Sequence, residues 1–461
     1  MFLLLPLYTH ILQPADYGKL ELVYLIGNIL IVFYSLSIEN GYNRIYFHDK
    51  DTGFRKVLFS TGQLFSFLSA IAIASIMLFN ADYIAGQFLN FDEGTFFLKL
   101  IAAVIVIEVL THIPLNNIRI RNEAKTFVLI NLLSLIIVTS FTIYFLVFAR
   151  LGIAGILYAR IISGLVTLSI LLYLTRREYK FGFSSSQLKL MLGFSIFLIP
   201  VNLSSLILNM SNRYFLQEYQ SLEDVGLYSL GAKIAGIIPF LFNEPVNKAF
   251  FPYLFEQIDE PQKCKKILVD FSMIYVSILS AIALFISLFA REVVMVMADK
   301  SYEGSHSIVA ILSLSYILLG FSSLTVLGIH ISRKTWIVSI IWPVSAIVNI
   351  ALNILLIPEF GQMGAAIATL LSVIVINILY LFALSKVYPV SFNYSKLSFI
   401  FITMVILNYI GTLINYSLTT SIILKSLLFI TFLLILYIGG AFRTDEFSLS
   451  KHLKKKKNDN G

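Results

Sequence analysis

Charge is scarce in this chain. Only 13% of its 461 residues are Asp, Glu, Lys or Arg, about half the roughly 25% of a soluble domain, which excludes an ordinary water-soluble fold. Cysteine is almost missing. Cys264 stands alone, so no intrachain disulfide and no thiolate metal cluster can form, and it reads as a small residue in a loop. The six histidines (His10, His48, His112, His306, His330, His452) are scattered, and no HExxH, GxSxG or P-loop spacing occurs. Long polar connections are lacking too, which leaves no room for a soluble catalytic domain. No enzyme activity, cofactor or metal is expected.

What is present is apolar sequence, 58% of the chain. Val57–Phe79, Thr126–Ala149, Met191–Asn212 and Ser307–Ile329 carry no charge at all. About 20 residues of helix cross a hydrocarbon core of about 30 Å. The pattern predicts an all-α polytopic membrane protein with fourteen spans, near 1–12, 18–40, 57–79, 96–116, 126–149, 153–175, 189–212, 225–247, 268–290, 306–328, 335–357, 362–385, 397–418 and 421–441. The first, "MFLLLPLYTHIL", is too short to span and has no basic flank to make it a signal peptide. It reads as a truncated helix or as the remainder of one starting upstream.

The net charge of +8 is unevenly placed. Counting connections alternately, 25 of the 34 lysines and arginines fall on one side, those of the tail "KHLKKKKNDNG" included. Lys19, Arg150, Arg213, Arg291, Lys300 and Lys425 lie at the other face. This is the positive-inside pattern. It predicts a multi-pass protein of the cytoplasmic membrane with both termini in the cytoplasm, and it argues against nucleic acid as a partner. The basic tail is suited to anionic headgroups among the membrane lipids.

The halves resemble each other. "ADYG" at 15–18 and "EDVG" at 223–226 are offset by 208; "GIAG" at 152–155 and "GQMG" at 361–364, and "IRNEAKT" at 120–126 and "IHISRKT" at 329–335, are offset by 209. Each pair falls at the same point of a six-span unit. An even unit repeats with the same orientation, the parallel plan of several transporters. The expected organisation is a six-helix lobe over 1–180, a second over 187–386, an extra helix pair over 397–441 and a basic tail over 442–461.

Ionisable residues inside spans are functional-site candidates. Arg160 and Lys233 each lie about 8 residues, roughly 12 Å, into spans of opposite halves, which suggests a common cavity. Glu108, near mid-span, reads as the only acid at that depth; it is either protonated in a low dielectric or the partner of Arg160. Arg213 marks the outer end of span 7. Glu39 and Glu244 mark inner ends of spans 2 and 8, followed by Arg44 and Lys248 as basic partners. For Arg213, Arg44 and Lys248, snorkelling to headgroups competes with a site role.

"LLLPLYTHILQPADYGKLEL", "FLIPVNLSSLILNMSNRYFLQEYQSLEDVGLYSLGAKIAG", "FNEPVNKAFFPYLF" and "FGQMGAAIAT" resemble segments of Wzx-type polysaccharide flippases, members of the multidrug/oligosaccharidyl-lipid/polysaccharide exporter superfamily. The similarity is spread over about residues 1–385. Two departures are the short first helix and Asn212, where the family usually has an acid before the arginine. The resemblance implies a two-lobed bundle that moves an undecaprenyl-diphosphate-linked oligosaccharide outward by alternating access, with polysaccharide polymerase machinery as a partner. On that implication Arg160, with Lys233, Arg213, Arg44 and Lys248, would meet phosphate. Asn28, Asn202, Asn209, Asn212, Tyr158, Tyr214 and Tyr228 would meet sugar, with Glu108, Glu39 and Glu244 in the cavity. A cation-coupled multidrug exporter, a lipid II or teichoic-type precursor flippase and a non-transporting membrane subunit are the rival readings.

Overall fold

The computed structural model describes residues 4–180, 182–414 and 417–440, apart from the side chain of Glu244. The tail expected over 442–461 lies outside the described residues. These are all helix, turn and loop, with no strand among them. The chain packs as two compact units, Met1–Gly226 and Leu227–Gly461.

The first unit holds α1 (Leu5–Ile11), α2 (Pro14–Ser35), α3 (Ile38–Tyr46), α4 (Thr52–Phe79), α5 (Ala81–Phe88), α6 (Gly94–Ile120), α7 (Ala124–Ile143), α8 (Gly152–Thr175), α9 (Ser185–Ser195), α10 (Ile199–Tyr219) and the first turn of α11 (Leu222–Ala235). Pro14 opens α2, where its missing N–H costs nothing. Asp51 caps α4 by accepting from the Phe54 amide at 2.6 Å. The span expected over 18–40 ends early. Leu36 and Ser37 both take left-handed φ values, 45° and 54°, and this break turns α3 into a separate amphipathic helix. Its buried face (Ile38, Tyr42, Ile45, Tyr46) packs on Leu58, Phe59, Ile113 and Met191, and the Tyr42 hydroxyl accepts from Asn117 at 2.7 Å. α7 is different: of its side chains only Ile130 and Thr142 are buried. A helix apolar all round yet unburied within the protein faces lipid. The repeat read from sequence divides near 180–187, whereas packing draws α10 onto α2 and so into the first unit.

The second unit continues α11 and adds α12 (Glu244–Phe255), α13 (Pro261–Leu288), α14 (Ala290–Met297), α15 (Val309–Ile331), α16 (Trp336–Val387), α17 (Tyr394–Thr412) and α18 (Leu418–Ile438). α13 is its hub, touching α15, α17 and α18. Among the described residues twelve helices are long and apolar enough to cross a membrane, against fourteen expected. α16 accounts for part of the difference, because its 52 residues are two helices merged across Gly361. The short α1 is not among the twelve.

Gly361 has φ 52° and ψ −129°, a region reached essentially by glycine alone. Its repeat-related counterpart Gly152 has φ 54°. Gly361→Ala is expected to lower stability by about 1–3 kcal/mol, read as melting temperature of the purified protein. Gly86→Ala, on α5 with open space around it, should not lower melting, because alanine suits a helix better than glycine. Equal melting of the two variants would refute the strain.

A second glycine pair, Gly18 and Gly226, also descends from the sequence repeat. A Cβ at Gly18 would lie 2.1 Å from the Leu222 carbonyl oxygen, and one at Gly226 would lie 1.9 Å from that of Pro14. Pro14 and Leu222 open α2 and α11. The two helix starts therefore cross reciprocally, each glycine against the backbone of the other helix.

Candidate functional site

Packing of α6 on α8, and of both on α2, brings three polar groups together inside the apolar first unit. Arg160 on α8 forms an ion pair with Glu108 on α6, and its guanidinium lies 4.9 Å from the ring centre of Tyr24 on α2. Ring quadrupole and carboxylate both attract the cation. Of the two readings of Glu108, pairing with Arg160 is the one observed. Arg160 and Glu108 line a cavity of about 230 Å³ together with Tyr8, Thr111, Ser134 and Ser163. Ser163 donates to the Ser134 carbonyl at 2.9 Å, so α7 is tied to α8 along this wall. Arg160 is 17% exposed and stays within reach of the cavity.

A second ion pair is more deeply enclosed. Arg213 Nε donates to Glu21 Oε2 at 3.2 Å, with side-chain exposures of only 7% and 2%, and Arg213 Nη1 donates to the Asn209 carbonyl at 2.9 Å. The sequence puts Arg213 at the outer end of its span. Instead α10 runs on to Tyr219, which places Arg213 about 9 Å from the helix end. It does not snorkel. Glu21 corrects the expectation that Glu108 is the only deep acid. Its signal in the sequence is weak, because it lies four residues into a span drawn from residue 18, where an acid reads as interfacial.

The remaining candidates scatter. Lys233 is half-buried on α11, and Lys248 is exposed on α12, both in the second unit. The expected Glu39–Arg44 pair is not made. Arg44 is exposed, its guanidinium 4.5 Å from the Phe194 ring centre, and Glu39 Oε2 is buried without a hydrogen-bond partner among the described residues; the break at Leu36 and Ser37 turns α3 toward α9. The side chain of Glu244 lies outside the described residues. Asn28 donates to the Tyr24 carbonyl at 2.8 Å and to Met210 Sδ at 3.5 Å, and Asn202 donates to Ser37 Oγ at 3.0 Å. These two contacts stitch α10 to α2 and to the α2–α3 break. Asn209 is exposed and donates to the Ser205 carbonyl. Asn212 is fully buried, so it has no surface to offer a sugar. Tyr158 packs near Phe145 and Tyr214 near Phe88, while Tyr228 is buried.

Sequence reasoning also misses a pair in the second unit. Lys425 on α18 donates to Glu292 on α14 at 2.6 Å, with exposures of 7% and 13%. The stretch that forms the short α14 reads as loop.

These features sit in a chain whose residues 8–307 match the family described as polysaccharide biosynthesis protein. The chain belongs to this family. A Haemophilus influenzae protein named for the Lsg locus is 25% identical over 276 residues, covering 58% of this chain and 64% of its own length. A Haloferax volcanii protein named as a probable low-salt glycan biosynthesis flippase, Agl15, is 25% identical over 222 residues, covering 47% and 44% respectively. The chain thus spans less than two-thirds of either relative. Among solved structures, the lipid II flippase MurJ in an inward closed conformation superposes with a TM-score of 0.74 over 94% of this chain and 95% of its own, at 15% identity. An inward-facing multidrug transporter of the MATE family, in the MOP superfamily, gives 0.70 over 84% and 94%, at 16% identity. The family member therefore has the MurJ/MATE fold, a multi-pass membrane fold.

Proposed function

We propose that this protein moves an oligosaccharide linked to undecaprenyl diphosphate from the inner to the outer leaflet of the cytoplasmic membrane by alternating access, with both termini in the cytoplasm and no covalent chemistry of its own. Family membership, the relative named as a glycan biosynthesis flippase and the shared fold support this reading. The observation that carries it is Arg160, an arginine held inside an apolar unit at a cavity wall by one carboxylate and one ring. Glu108 keeps the guanidinium neutralised at rest, and its planar donors are those that bind phosphate in two-pronged fashion. A diphosphate that joins Glu108 at the guanidinium uses the donors that one carboxylate leaves free, so neither the cation nor Glu108 stands alone in hydrocarbon. Lys233 and Lys248 are proposed as phosphate contacts in their own right, and polymerase machinery as the recipient of the glycan.

The multidrug reading is less well supported. A cationic drug needs a carboxylate it can reach, and Glu108 and Glu21 are both held by arginines.

The test is export of lipid-linked sugar in a complementation assay, with protein abundance measured alongside. Arg160→Ala is expected to lower export about 10- to 100-fold, the worth of a charge-assisted contact. It also leaves Glu108 unpaired, so abundance should fall. Arg160→Ala combined with Glu108→Gln should recover abundance but not export, and Arg160→Lys should be intermediate. Full export by the double variant would overturn the phosphate role.

A further inference from the structure

A cleft of about 830 Å³ opens in the first unit away from the Arg160 cavity, where α4, α6 and α8 meet the segment following α8. Its walls are apolar, with Phe67, Leu172 and Phe183 among them, and Arg176 and Lys180 lie at one end. Its floor includes Gln63, which donates to the Leu110 carbonyl at 3.0 Å.

The cationic end is fastened in place. The Lys180 amide donates to Ser60 Oγ at 2.9 Å and the Ser184 amide to Thr61 Oγ1 at 3.1 Å, so the segment is pinned to consecutive residues of α4. Tyr179 sets its ring edge against Phe59 at 4.9 Å, and the Arg176 guanidinium lies 4.0 Å from the ring centre of Tyr173. The nearby carboxylate of Glu178 is taken by Arg121 at 2.6 Å. Among the described residues neither Arg176 nor Lys180 has an acid within ion-pair distance. Two cations carried on this pinned backbone, at one end of an apolar slot, complement a molecule with a phosphate at one end and a hydrocarbon tail at the other. The cleft lies at the end of the unit where the sequence concentrates its basic residues.

We infer that this cleft is a binding site for an anionic phospholipid of the inner leaflet, its phosphate between Arg176 and Lys180 and its acyl chain along Phe67 and Leu172. Basic pockets at the cytoplasmic ends of membrane helices bind such headgroups. The site is separate from the Arg160 cavity and does not depend on the transport reading.

Native mass spectrometry of the full chain, with phosphatidylglycerol or phosphatidylcholine of matched acyl chains added, tests the inference. The unaltered protein should retain phosphatidylglycerol preferentially. Arg176→Gln with Lys180→Gln should weaken that retention about 10- to 30-fold, a factor of about five for each cation. Lys56→Gln with Lys189→Gln removes the same charge outside the cleft and should leave retention unchanged. Equal losses in the two double variants, or none in the first, would overturn the inference. So would displacement by inorganic phosphate, which lacks a tail. Preferential displacement by a polyprenyl diphosphate would hand the cleft to the transport substrate and refute a resident phospholipid.

Discussion

Glu21→Ala is expected to be among the most damaging single substitutions in this protein, although Glu21 is not among the candidates read from the sequence. It would leave the guanidinium of Arg213, 7% exposed, without its carboxylate in a low dielectric. Breaking a buried pair from one side costs about 3–5 kcal/mol, because the remaining charge is stranded. Membrane abundance and melting temperature should both fall sharply, and Arg213→Ala should do similar harm from the other side. Replacing both, Glu21→Leu with Arg213→Met, should restore most of the stability, since an apolar pair of similar size avoids desolvating two ions. A double variant as unstable as the sum of the singles would show that the two residues do not act as a pair. If the pair also serves transport, export should stay low after stability returns, so the two readouts separate fold from function.

The second large effect belongs to the crossing of α2 and α11. With Gly226→Ala the new Cβ would stand 1.9 Å from the Pro14 carbonyl oxygen, where ordinary contact begins at 3.4 Å. Backbone cannot step aside as a flexible side chain can, so the helix starts must part by more than an ångström. Overpacking of a tight contact costs about 1–3 kcal/mol, and the closeness here puts the expectation at the upper end. Gly18→Ala meets the Leu222 oxygen and should cost a comparable amount. Because either substitution opens the same crossing, the double variant should be less destabilised than the two singles added together. Thermal melting of the three variants checks this, and strict additivity would mean that the glycines do not share one contact.

Much of the architecture can be read along the chain because hydropathy and helix length are local properties. Runs such as Val57–Phe79 and Thr126–Ala149 become helices α4 and α7 with little change. The offset of 208 between "ADYG" and "EDVG" already pairs Gly18 with Gly226. Arg160 and Glu108 are legible as candidates because an ionised group in the middle of an apolar run is conspicuous wherever it points.

Partnership is not legible, because it depends on how far each helix runs and which way it is turned. Glu21 and Arg213 are 192 residues apart, and each sits near a span edge drawn from hydropathy, where charge is ordinary. Only the continuation of α10 to Tyr219 and its packing on α2 put both inside. The left-handed Leu36 and Ser37 redirect Glu39 and Arg44, since backbone dihedrals of non-glycine residues leave no mark in composition. Lys425 meets Glu292 because a short stretch that reads as loop folds into α14. Arg176 and Lys180 look like two more basic residues of one side until hydrogen bonds to Ser60 and Thr61 fix their segment over an apolar cleft. The sequence determined which residues enter the membrane, through the cost of exposing apolar groups to water. The tertiary structure decided which charges meet there, because an ion in a low dielectric is stable only against the partner that packing brings to it.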